Sequence, residues 1–576
     1  MKKTIFKSQR DNHSFDPTVR TFAETHRNDP GAIIDSLKLL QNDRGGLSKE
    51  DLIAVAEAFN VSIQHVSSIV TFYTMLETDR PQKTIRVCEG PACWLKGSTK
   101  LMPYFDWLRE EGWSIEPNSC LGLCDHAPAA LVGEVQVGNL TKDIVTWRLE
   151  DWVKIPQISH ESKEGETRVL LADLDKIDPK DIRTAIDAGT YEGLKNALKM
   201  APIDVVQMIK ESKLVGRGGA GFPTGMKWSF VAGIDGVEKY IICNADESEP
   251  LAVKDRILID HNPFLVLAGM TIAGYAVGAD HGYIYIRGEY PEQAKTLKRA
   301  IQQAEEQNLL GKNILGCGLN FFIHVHSGAG AYICGEETAL LESLEGRRGE
   351  PRLRPPYPTT HGYKGKPTVV NNVETLANVP IILQYGSEWY RNLSDSEFTG
   401  TKIYAIFGHV AEPCIFEAPF GLTLSQMIND FGGGMAPWCQ YGFALIGGAA
   451  GRIVPENLVD LPLDYSSGDR GAHIGVGAAL VCDISVSPVA LLRELLHFFE
   501  VESCGKCTPC REGTRQARQI LDKLMAGDAP IDSIERLFKL SSLMGSASFC
   551  GLGISVQWPI DSALEHFEEA FESRLI

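Results

Sequence analysis

The chain has 576 residues, of which 44% are apolar and 23% charged, and its formal net charge at pH 7 is −18. This composition is typical of a globular protein, and the length predicts about four domains. The acidic balance comes without a basic stripe for phosphates, so we expect no nucleic-acid partner. The longest uncharged apolar run, Pro263 to Ala279, is too short to span a bilayer comfortably. We therefore predict a buried helix there and no direct membrane insertion.

The chain contains fourteen cysteines. Met1-Lys2-Lys3 is followed by polar residues instead of the apolar core of a signal peptide, which predicts a cytoplasmic protein in which disulfides are rare. Eight cysteines fall into two tight groups, and this favours metal or cluster ligation. The other six have no ligand spacing, and we expect them to be buried apolar residues: Cys243, Cys317, Cys334, Cys414, Cys439 and Cys482.

The N-terminal part is predicted to be helical after a loose arm. Residues 1–29 are polar and lack periodicity, whereas apolar residues recur at helical spacing over residues 30–79. Ser48 with Asp51 three residues later is typical of a helix N-cap and its acidic partner. A further helix from Ser62 to about Leu76 completes a predicted small bundle.

The next region, residues 80–155, is predicted to be a small α/β domain that carries the first cysteine group. Strands are predicted at Lys83–Val87, Ala129–Val132 and Glu134–Val137, with a helix at Leu101–Glu110. The two cysteine pairs on neighbouring loops suit a [2Fe–2S] cluster, with two thiolates for each iron. Zinc ligation and a redox dithiol remain alternatives. The four cysteines are Cys88, Cys93, Cys120 and Cys124.

A charged run, His160 to Thr167, indicates a linker over residues 156–180. Strands and helices alternate over residues 181–400, with β-rich runs at Tyr240–Cys243, Tyr283–Arg287 and Phe321–Val325, which predicts an α/β sandwich. Residues 401–486 are richer in short β segments and glycine, and residues 487–576 have a helical pattern. We therefore predict a small β-containing domain followed by a helical one.

Three loops of the α/β region carry polar or glycine-rich motifs. The loop Gly216–Gly225, with Lys227, contains GxGxxG but follows a helical pattern, so a Rossmann fingerprint is disfavoured, and a phosphate-binding loop and a plain turn both remain open. Asn244-Ala-Asp246-Glu247-Ser-Glu249 directly follows a predicted strand, where α/β sheets bind ligands, and a solvated acidic loop remains the alternative. A second glycine-rich run, Gly328 to Glu337, lacks the GK[ST] ending of an ATP-type P-loop.

The sharpest signal is Cys504-Gly-Lys-Cys507-Thr-Pro-Cys510, with Cys550 far downstream. Three thiolates at CxxCxxC spacing and a fourth from a distant segment are what a [4Fe–4S] cluster needs. Zinc also accepts four thiolates, but its sites more often use two separated CxxC pairs. His324 and His326 alternate along a strand and are expected not to bind a metal.

Taken together, these motifs resemble two subunits of the NADH-oxidising arm of respiratory complex I, fused in one chain. Residues 30–150 resemble its thioredoxin-like [2Fe–2S] subunit and residues 180–576 its FMN-binding flavoprotein, including Val369-Val-Asn-Asn-Val-Glu-Thr375. The resemblance implies a multidomain α/β fold. Its parts would be an N-terminal helical bundle, a thioredoxin-like domain, a Rossmann-like α/β FMN domain, a ubiquitin-like β-grasp domain and a C-terminal helical bundle with the [4Fe–4S] cluster.

The resemblance also implies roles for particular residues. The FMN site would comprise Gly216, Gly218, Gly219, Gly221, Lys227, Asn244, Asp246, Glu247, Tyr332, Gly335, Glu336, Val370, Asn371, Asn372 and Thr375. The NADH site would comprise Phe222, Phe230, Glu249, Glu337, Arg354 and Tyr357. Arg354 and Tyr357 stand where the family is expected to have Lys and Phe. Leu251-Ala252 replaces a Gly and a small residue, which could reshape the nicotinamide loop.

The implied function is electron transfer between NAD(H), FMN and the clusters inside a larger redox complex. The flavin performs hydride transfer, so no catalytic acid or base is expected. Among such complexes the resemblance is closest to NAD-dependent formate dehydrogenase, and the alternatives are NAD-reducing hydrogenase and a complex I-like assembly. The partners would be the iron–sulfur and catalytic subunits of that complex. A zinc-stapled scaffold without catalysis is the alternative of another class.

Overall fold

A computed structural model describes residues 17–26, 29–78, 83–152, 162–466, 468 and 471–576. The N-terminal helices are α1 (Pro17–Thr25), α2 (Ala32–Arg44), α3 (Lys49–Ala58) and α4 (Ile63–Val70). The loose arm predicted for residues 1–29 is wrong for α1, which buries Val19 and Ala23, and residues 1–16 lie outside the described part. Helix α4 ends well before the predicted Leu76. Ser48 and Asp51 form the predicted reciprocal cap at the start of α3.

The region of the first cysteine group contains one mixed sheet. Its elements are β1 (Lys83–Cys88), α5 (Pro91–Leu95), α6 (Ser98–Leu101), α7 (Asp106–Glu110), β2 (Trp113–Asn118), β3 (Ala130–Val132), β4 (Val135–Val137) and α8 (Lys142–Val145). The strand order is β2-β1-β3-β4, with β1 and β2 parallel. The single helix predicted over residues 101–110 is broken into α6, a short 3₁₀ turn at Met102–Phe105 that contains a proline, and α7.

The central region is a parallel sheet with helices. Its elements are α9 (Ile182–Asp187), α10 (Glu192–Ala197), α11 (Pro202–Glu211), α12 (Thr224–Ala232), β5 (Tyr240–Ala245), α13 (Lys254–His261), α14 (Pro263–Val277), β6 (His281–Ile286), α15 (Pro291–Glu306), β7 (Gly311–Ile314), β8 (Leu319–Ser327), α16 (Glu337–Leu344), α17 (Pro358–His361), β9 (Thr368–Asn372), α18 (Val373–Tyr385) and α19 (Ser387–Arg391). The strand order is β7-β8-β6-β5-β9, and all but β7 run parallel.

The ends of the parallel strands position the site. Asn244 in β5 pairs with Asn372 in β9, and Ile286 in β6 pairs with Ser327 in β8, so the four parallel strands end at one edge.

The predicted buried helix is α14, which is apolar on every side and almost wholly buried. No single helix in the described ranges is long and apolar enough to cross a bilayer; α13 and α14 together have the length and composition but are bent by 100°.

A second mixed sheet and a helical region complete the chain. The sheet region contains β10 (Thr401–Gly408), β11 (Cys414–Pro419), α20 (Leu424–Gln426), β12 (Tyr441–Ile446), β13 (Arg452–Val454) and β14 (Ala478–Asp483), in the order β11-β10-β14-β12-β13. The last helices are α21 (Pro488–Glu502), α22 (Thr508–Ala526), α23 (Ser533–Ala547), α24 (Gly551–Ser555) and α25 (Gln557–Glu572). The predicted multidomain α/β fold is confirmed.

The predicted linker over residues 156–180 is only partly described, because residues 153–161 lie outside the described ranges. Its described part, from residue 162 onward, contains no helix or strand. It is fixed to β11, because the backbone N–H groups of Val169, Leu170 and Leu171 donate to the Glu417 carboxylate at 2.8, 2.9 and 3.0 Å.

The six cysteines outside the two groups do not all behave as predicted. Three of them, Cys243, Cys334 and Cys482, are buried, as expected. The prediction is wrong for Cys317, which is exposed, and for Cys414 and Cys439, which are half-buried. Cys317 lies in the turn between β7 and β8, where little of the fold covers it.

Candidate flavin and cluster sites

A cleft opens at the edge where the parallel strands end. Its empty volume is about 830 Å³, open solvent included, which is in the range of cofactor pockets. Nine of the predicted site residues line it: Gly218, Asn244, Asp246, Glu247, Glu249, Tyr332, Gly335, Glu336 and Asn372. The structure therefore brings together residues that lie more than 150 positions apart in the chain.

The loop after β5 forms an acidic wall of this cleft. Burial raises the pKa of Glu247 and of Glu249 to about 7, and it raises the pKa of Asp246 well above its ordinary value. The Tyr332 hydroxyl donates to Glu249 at 2.5 Å, and Asp246 Oδ2 is buried without a hydrogen-bond partner. This unpaired carboxyl oxygen is available to hydrogen-bond with a polar group of a bound cofactor, which fits the N–H, carbonyl and hydroxyl groups of FMN.

The glycine-rich loop contributes Gly218 to the lining of the cleft and approaches β9 closely. A side chain at position 218 would meet the Asn372 side chain at 3.3 Å, and Gly219 and Gly221 adopt φ of +119° and +64°. Only glycine adopts such angles readily, so the loop can present backbone N–H groups towards the cleft. Positive φ is typical of plain turns as well as of phosphate-binding loops, so the phosphate-binding interpretation stays a prediction.

Two residues that the sequence motifs did not suggest also line the cleft. Lys254 and Asp255, at the start of α13, are 4% and 2% exposed. Lys254 donates to Asn372 Oδ1 at 3.1 Å, and Asn372 Nδ2 donates to Asp255 at 2.6 Å. The pair therefore fixes the orientation of the Asn372 amide. Their position directly after the acidic motif was the available signal.

Of the predicted NADH residues Glu249 lines the cleft, whereas the other five are not among its lining residues: Phe222, Phe230, Glu337, Arg354 and Tyr357. Lys227 and Arg354 both pair with Glu337, at 3.3 and 3.2 Å, and Lys227 lies over the ring of Phe222 at 5.9 Å. The rings expected to hold NADH are half-exposed: Phe222 at 45%, Phe230 at 50% and Tyr357 at 55%. Exposed rings beside a charged cluster suit a ligand that arrives from solvent.

The remaining predicted flavin residues support the cleft from behind. Asn371 accepts a hydrogen bond from the Trp228 indole at 2.8 Å, and the Thr375 hydroxyl accepts from the Arg217 backbone N–H at 2.8 Å. The Val370 carbonyl accepts from Lys227 at 3.0 Å. The structure places these residues next to the cleft wall and not on its surface.

The C-terminal cysteines meet in one cavity. Cys504, Cys507, Cys510 and Cys550 line an empty volume of about 270 Å³. Cys507 and Cys550 are the N-cap residues of α22 and α24, so the free backbone N–H groups at the start of each helix lie beside these two cysteines. Burial raises the pKa of Cys510 to about 12 and that of Cys550 to about 11, so a metal must displace both protons. Ile333 and Leu552 line both this cavity and the flavin cleft.

The four N-terminal cysteines also come together, and all are buried. The Cys88 thiol contacts those of Cys93 and Cys120, and Cys120 contacts Cys124. Hydrogen bonds from Cys124 and Cys88, with the nearby Arg287 charge, hold the pKa of Cys120 well below its ordinary value. Within the described residues no three His, Cys, Asp or Glu side chains lie close enough for a single metal ion. In a cluster, by contrast, the ligands are shared among several irons.

The comparisons with known proteins agree with this geometry. Residues 19–152 match the family model for the thioredoxin-like [2Fe-2S] ferredoxin, residues 209–381 the Nuo51 FMN-binding domain, and residues 490–574 the NADH-ubiquinone oxidoreductase-F iron-sulfur binding region. Each region contains the corresponding cysteines or cleft loops described above. FMN, a [2Fe–2S] cluster and a [4Fe–4S] cluster are thus the cofactors of this chain, with NADH as substrate.

Individual relatives cover one or both halves of the chain. It is 42% identical over 409 residues to the F 2 subunit of the NADH-quinone oxidoreductase of Rhizobium meliloti, which covers 71% of this chain and 97% of the relative. It is 40% identical to the HndC subunit of the NADP-reducing hydrogenase of Solidesulfovibrio fructosivorans, over 72% of this chain and 84% of the relative. A chain of an NAD+-reducing [NiFe]-hydrogenase superposes with a TM-score of 0.81 at 31% identity, covering 94% of this chain and 93% of that one. The chain therefore belongs to the family of the NADH-quinone oxidoreductase F subunits, the NADH dehydrogenase-type flavin and iron–sulfur subunits of larger redox complexes.

Proposed function

We propose that NADH binds at the mouth of the cleft and that its electrons leave towards the C-terminal cysteines. Phe222 and Phe230 would stack on the adenine, and Glu337 would accept hydrogen bonds from the adenosine ribose. Glu249, at the inner end, would meet the nicotinamide carboxamide. FMN supplies the conversion between the two-electron chemistry of NADH and the one-electron chemistry of clusters.

Residues of the chain would hold the flavin in this cleft. The glycine-rich loop and Lys227 would bind its phosphate and ribityl region, and Asn244 and Asp246 would bind the ring system. Asn244 is already oriented, because its amide donates to the Gly335 carbonyl at 2.8 Å. Lys254 and Asp255 would hold the Asn372 amide towards the same ligand. A preorganised set of donors and acceptors of this kind aligns a cofactor and excludes water.

One observation carries the proposed electron path: Ile333 and Leu552 line both the flavin cleft and the cavity of Cys504, Cys507, Cys510 and Cys550. The two sites are therefore separated by a single layer of apolar side chains. The half-exposed Cys504 and Cys507 lie on the outer side, where a partner can approach. A [4Fe–4S] cluster held by these four residues would pass electrons to that partner.

The parent complex is a finer proposal. We propose NAD-dependent formate dehydrogenase first, on the fusion of both halves in one chain and on the run Leu121 to Pro128. NAD-reducing hydrogenase is the second candidate, supported by the solved chain that covers 94% of this one. The oxidation site for formate or hydrogen would belong to a partner chain. A cytoplasmic location is part of the same proposal.

Two measurements test these proposals. The purified chain should release FMN, not FAD, on denaturation, at about one per chain, because the glycine-rich loop would bind the terminal phosphate of FMN; recovery of FAD alone contradicts the flavin assignment. Co-purification of the native complex should yield molybdenum or tungsten with a formate dehydrogenase partner. Nickel in their place would identify the hydrogenase alternative.

Leu251 stands where the resemblance implies a glycine in the nicotinamide loop. The side chain of Leu251 is fully buried. Its backbone φ is +76°, an angle that a glycine would adopt without strain. The backbone at Leu251 therefore has a conformation that is typical of glycine. We expect Leu251→Gly to leave the loop conformation intact, and unchanged KM for NADH in that variant would support this.

A further inference from the structure

Two buried arginines lie between the [2Fe–2S] ligand loop and the flavin cleft. Arg256, on α13, is 3% exposed and donates to both carboxylate oxygens of Asp125 at 2.6 Å and to the Gly122 carbonyl at 3.2 Å. Arg287, directly after β6, is 2% exposed and donates to the Cys120 carbonyl. Both guanidinium groups thus bind the segment that carries two of the four cysteines.

The same arginines bind the acidic wall of the flavin cleft. Arg287 donates to the Glu247 carbonyl at 2.7 Å, and the backbone N–H of Arg256 donates to the Glu247 carboxylate at 3.0 Å. The Tyr290 hydroxyl joins both sides, because it lies 3.2 Å from the Glu247 carboxylate and 3.3 Å from the Gly122 carbonyl. The cluster loop and the cleft wall therefore form one hydrogen-bonded unit.

Charge at this position acts on the cluster. One-electron reduction makes a cluster one unit more negative, and a nearby positive charge favours that state. Screening by salt is weak for groups buried this deeply. Each arginine has a carboxylate partner, Asp125 for Arg256 and Glu289 for Arg287, the latter at 3.2 Å. The balance between these cations and anions is therefore a means of setting the potential.

We propose that Arg256 and Arg287 hold the [2Fe–2S] ligand loop against the flavin cleft and set the reduction potential of that cluster. They are positioning residues, because they contact backbone carbonyls of the ligand loop and not the reacting atoms. The inference rests on the proposed ligand set of Cys88, Cys93, Cys120 and Cys124.

The test is a redox titration of the full chain with FMN and both clusters, followed by electron paramagnetic resonance. Arg287→Gln should make reduction of the [2Fe–2S] cluster at least about tenfold less favourable, which for one electron is 59 mV. Arg287→Lys keeps the charge and should shift the potential less. Asp125→Asn removes the anion that faces Arg256 and should shift the potential in the opposite direction, a change of sign that a purely structural role does not predict.

Two references isolate the effect. Arg168→Gln removes a largely buried arginine that pairs with Glu166 at 2.9 Å in the linker, and it should leave the [2Fe–2S] potential unchanged. The reduction potential of the [4Fe–4S] cluster should also stay unchanged in each variant. Unchanged [2Fe–2S] potentials in Arg287→Gln and Asp125→Asn, with iron content retained, would overturn the proposal.

Loss of the cluster from a variant is informative as well. If Arg287→Gln loses the cluster while Arg287→Lys retains it, the holding role is supported. The reduction potential of the [2Fe–2S] cluster in Asp125→Asn then tests the electrostatic part of the proposal. If this potential does not rise above the wild-type value, the electrostatic part is overturned. A wild-type chain without any [2Fe–2S] signal would instead contradict the proposed ligand set, so the two failures are distinguishable.

Discussion

The two cysteine sites differ in how the fold encloses them. Cys88, Cys93, Cys120 and Cys124 are all buried, and their loop is bound to the flavin half by buried arginines. In the C-terminal site Cys510 and Cys550 are buried, whereas Cys504 and Cys507 are partly open to solvent. The first site therefore faces inward, and the second lies between the flavin cleft and the surface.

We propose that this difference separates a side store of charge from a relay. Electron exchange with a partner requires a cluster near the surface, and only the C-terminal site combines partial exposure with side chains shared with the flavin cleft. The N-terminal site shares a polar wall with the flavin but has its thiols covered. We therefore expect loss of the two clusters to have unequal consequences.

The largest effect is expected for Cys507→Ser. Removing one ligand of the proposed relay should lower electron delivery to the partner complex by about 100-fold or more, because a relay without its cluster has no substitute. NADH reduction of an artificial acceptor that takes electrons from the flavin should largely survive. Steady-state activity with both acceptors, beside electron paramagnetic resonance of the clusters, measures this.

Cys93→Ser is the matched variant for the enclosed site. It should lower electron delivery to the partner complex much less than Cys507→Ser does. It should also lower the stability of the chain, because the ligand loops are held in place by their cluster. If Cys93→Ser stops partner reduction while Cys507→Ser leaves it intact, the order of carriers is the reverse of the one proposed here.

The next largest effect is expected for Gly122→Ala, which tests how tightly the N-terminal cysteine site is packed. Gly122 has φ of +66°, and an added methyl group would overlap the hydroxyl of Tyr290, which is fully buried and hydrogen-bonded and so has little room to move. Gly122→Ala should lower the free energy of unfolding by roughly 2–4 kcal/mol, from backbone strain and overpacking together. Denaturant unfolding and iron retention measure the change.

Gly133→Ala is the control, since Gly133 lies in the same region with φ of +59° and open space around it. This substitution should lower the free energy of unfolding by only about 1 kcal/mol, the contribution of backbone strain alone. Equal losses in the two variants would mean that the contact between Gly122 and Tyr290 is not tight.

A smaller effect concerns the acidic wall between the two sites. Burial raises the pKa of Glu249 to about 7, so its protonated form is favoured in the folded chain. The stability that this gives is complete below the unfolded pKa of about 4.5 and is lost as the pH rises through about 7, by roughly 3 kcal/mol. Glu249→Gln should remove this loss, which thermal unfolding of the flavin-free chain across pH 4–8 would show.

Tyr332→Phe sharpens the same measurement. The Tyr332 hydroxyl donates to Glu249 and opposes the effect of burial on the pKa of Glu249. Without this donor the pH at which stability is lost should move upward. A downward movement would mean that the hydroxyl does not stabilise the carboxylate.

The smallest effect is expected at Glu337, in the proposed NADH site. Glu337 neutralises Lys227 and Arg354, and a carboxylate there repels the 2′-phosphate of NADPH. Glu337→Gln should lower the ratio of kcat/KM for NADH over NADPH by roughly tenfold, about 1.4 kcal/mol. A wild-type chain that already prefers NADPH would contradict the role of Glu337.

Much of the fold could be predicted from local patterns. The cap of Ser48 and Asp51 and the apolar run of α14 depend on nearby residues, and both are present in the structure. Helix α1 was missed because only two of its residues, Val19 and Ala23, are buried, so its apolar pattern is short. Cys317 was misjudged because exposure depends on what packs over a turn, which its neighbours in sequence do not specify.

The sequence by itself determined the two cysteine sets and the loop motifs, because ligand types and their short spacings are written in contiguous residues. Only the tertiary structure decided that Arg256 pairs with Asp125 and that Lys254 and Asp255 hold Asn372, since these partners lie more than 100 residues apart. A buried charge needs a partner to offset its desolvation, but the sequence does not say which. The inward and outward orientation of the two cluster sites follows from those long-range pairings and from the packing of α22 and α24 around the C-terminal cysteines.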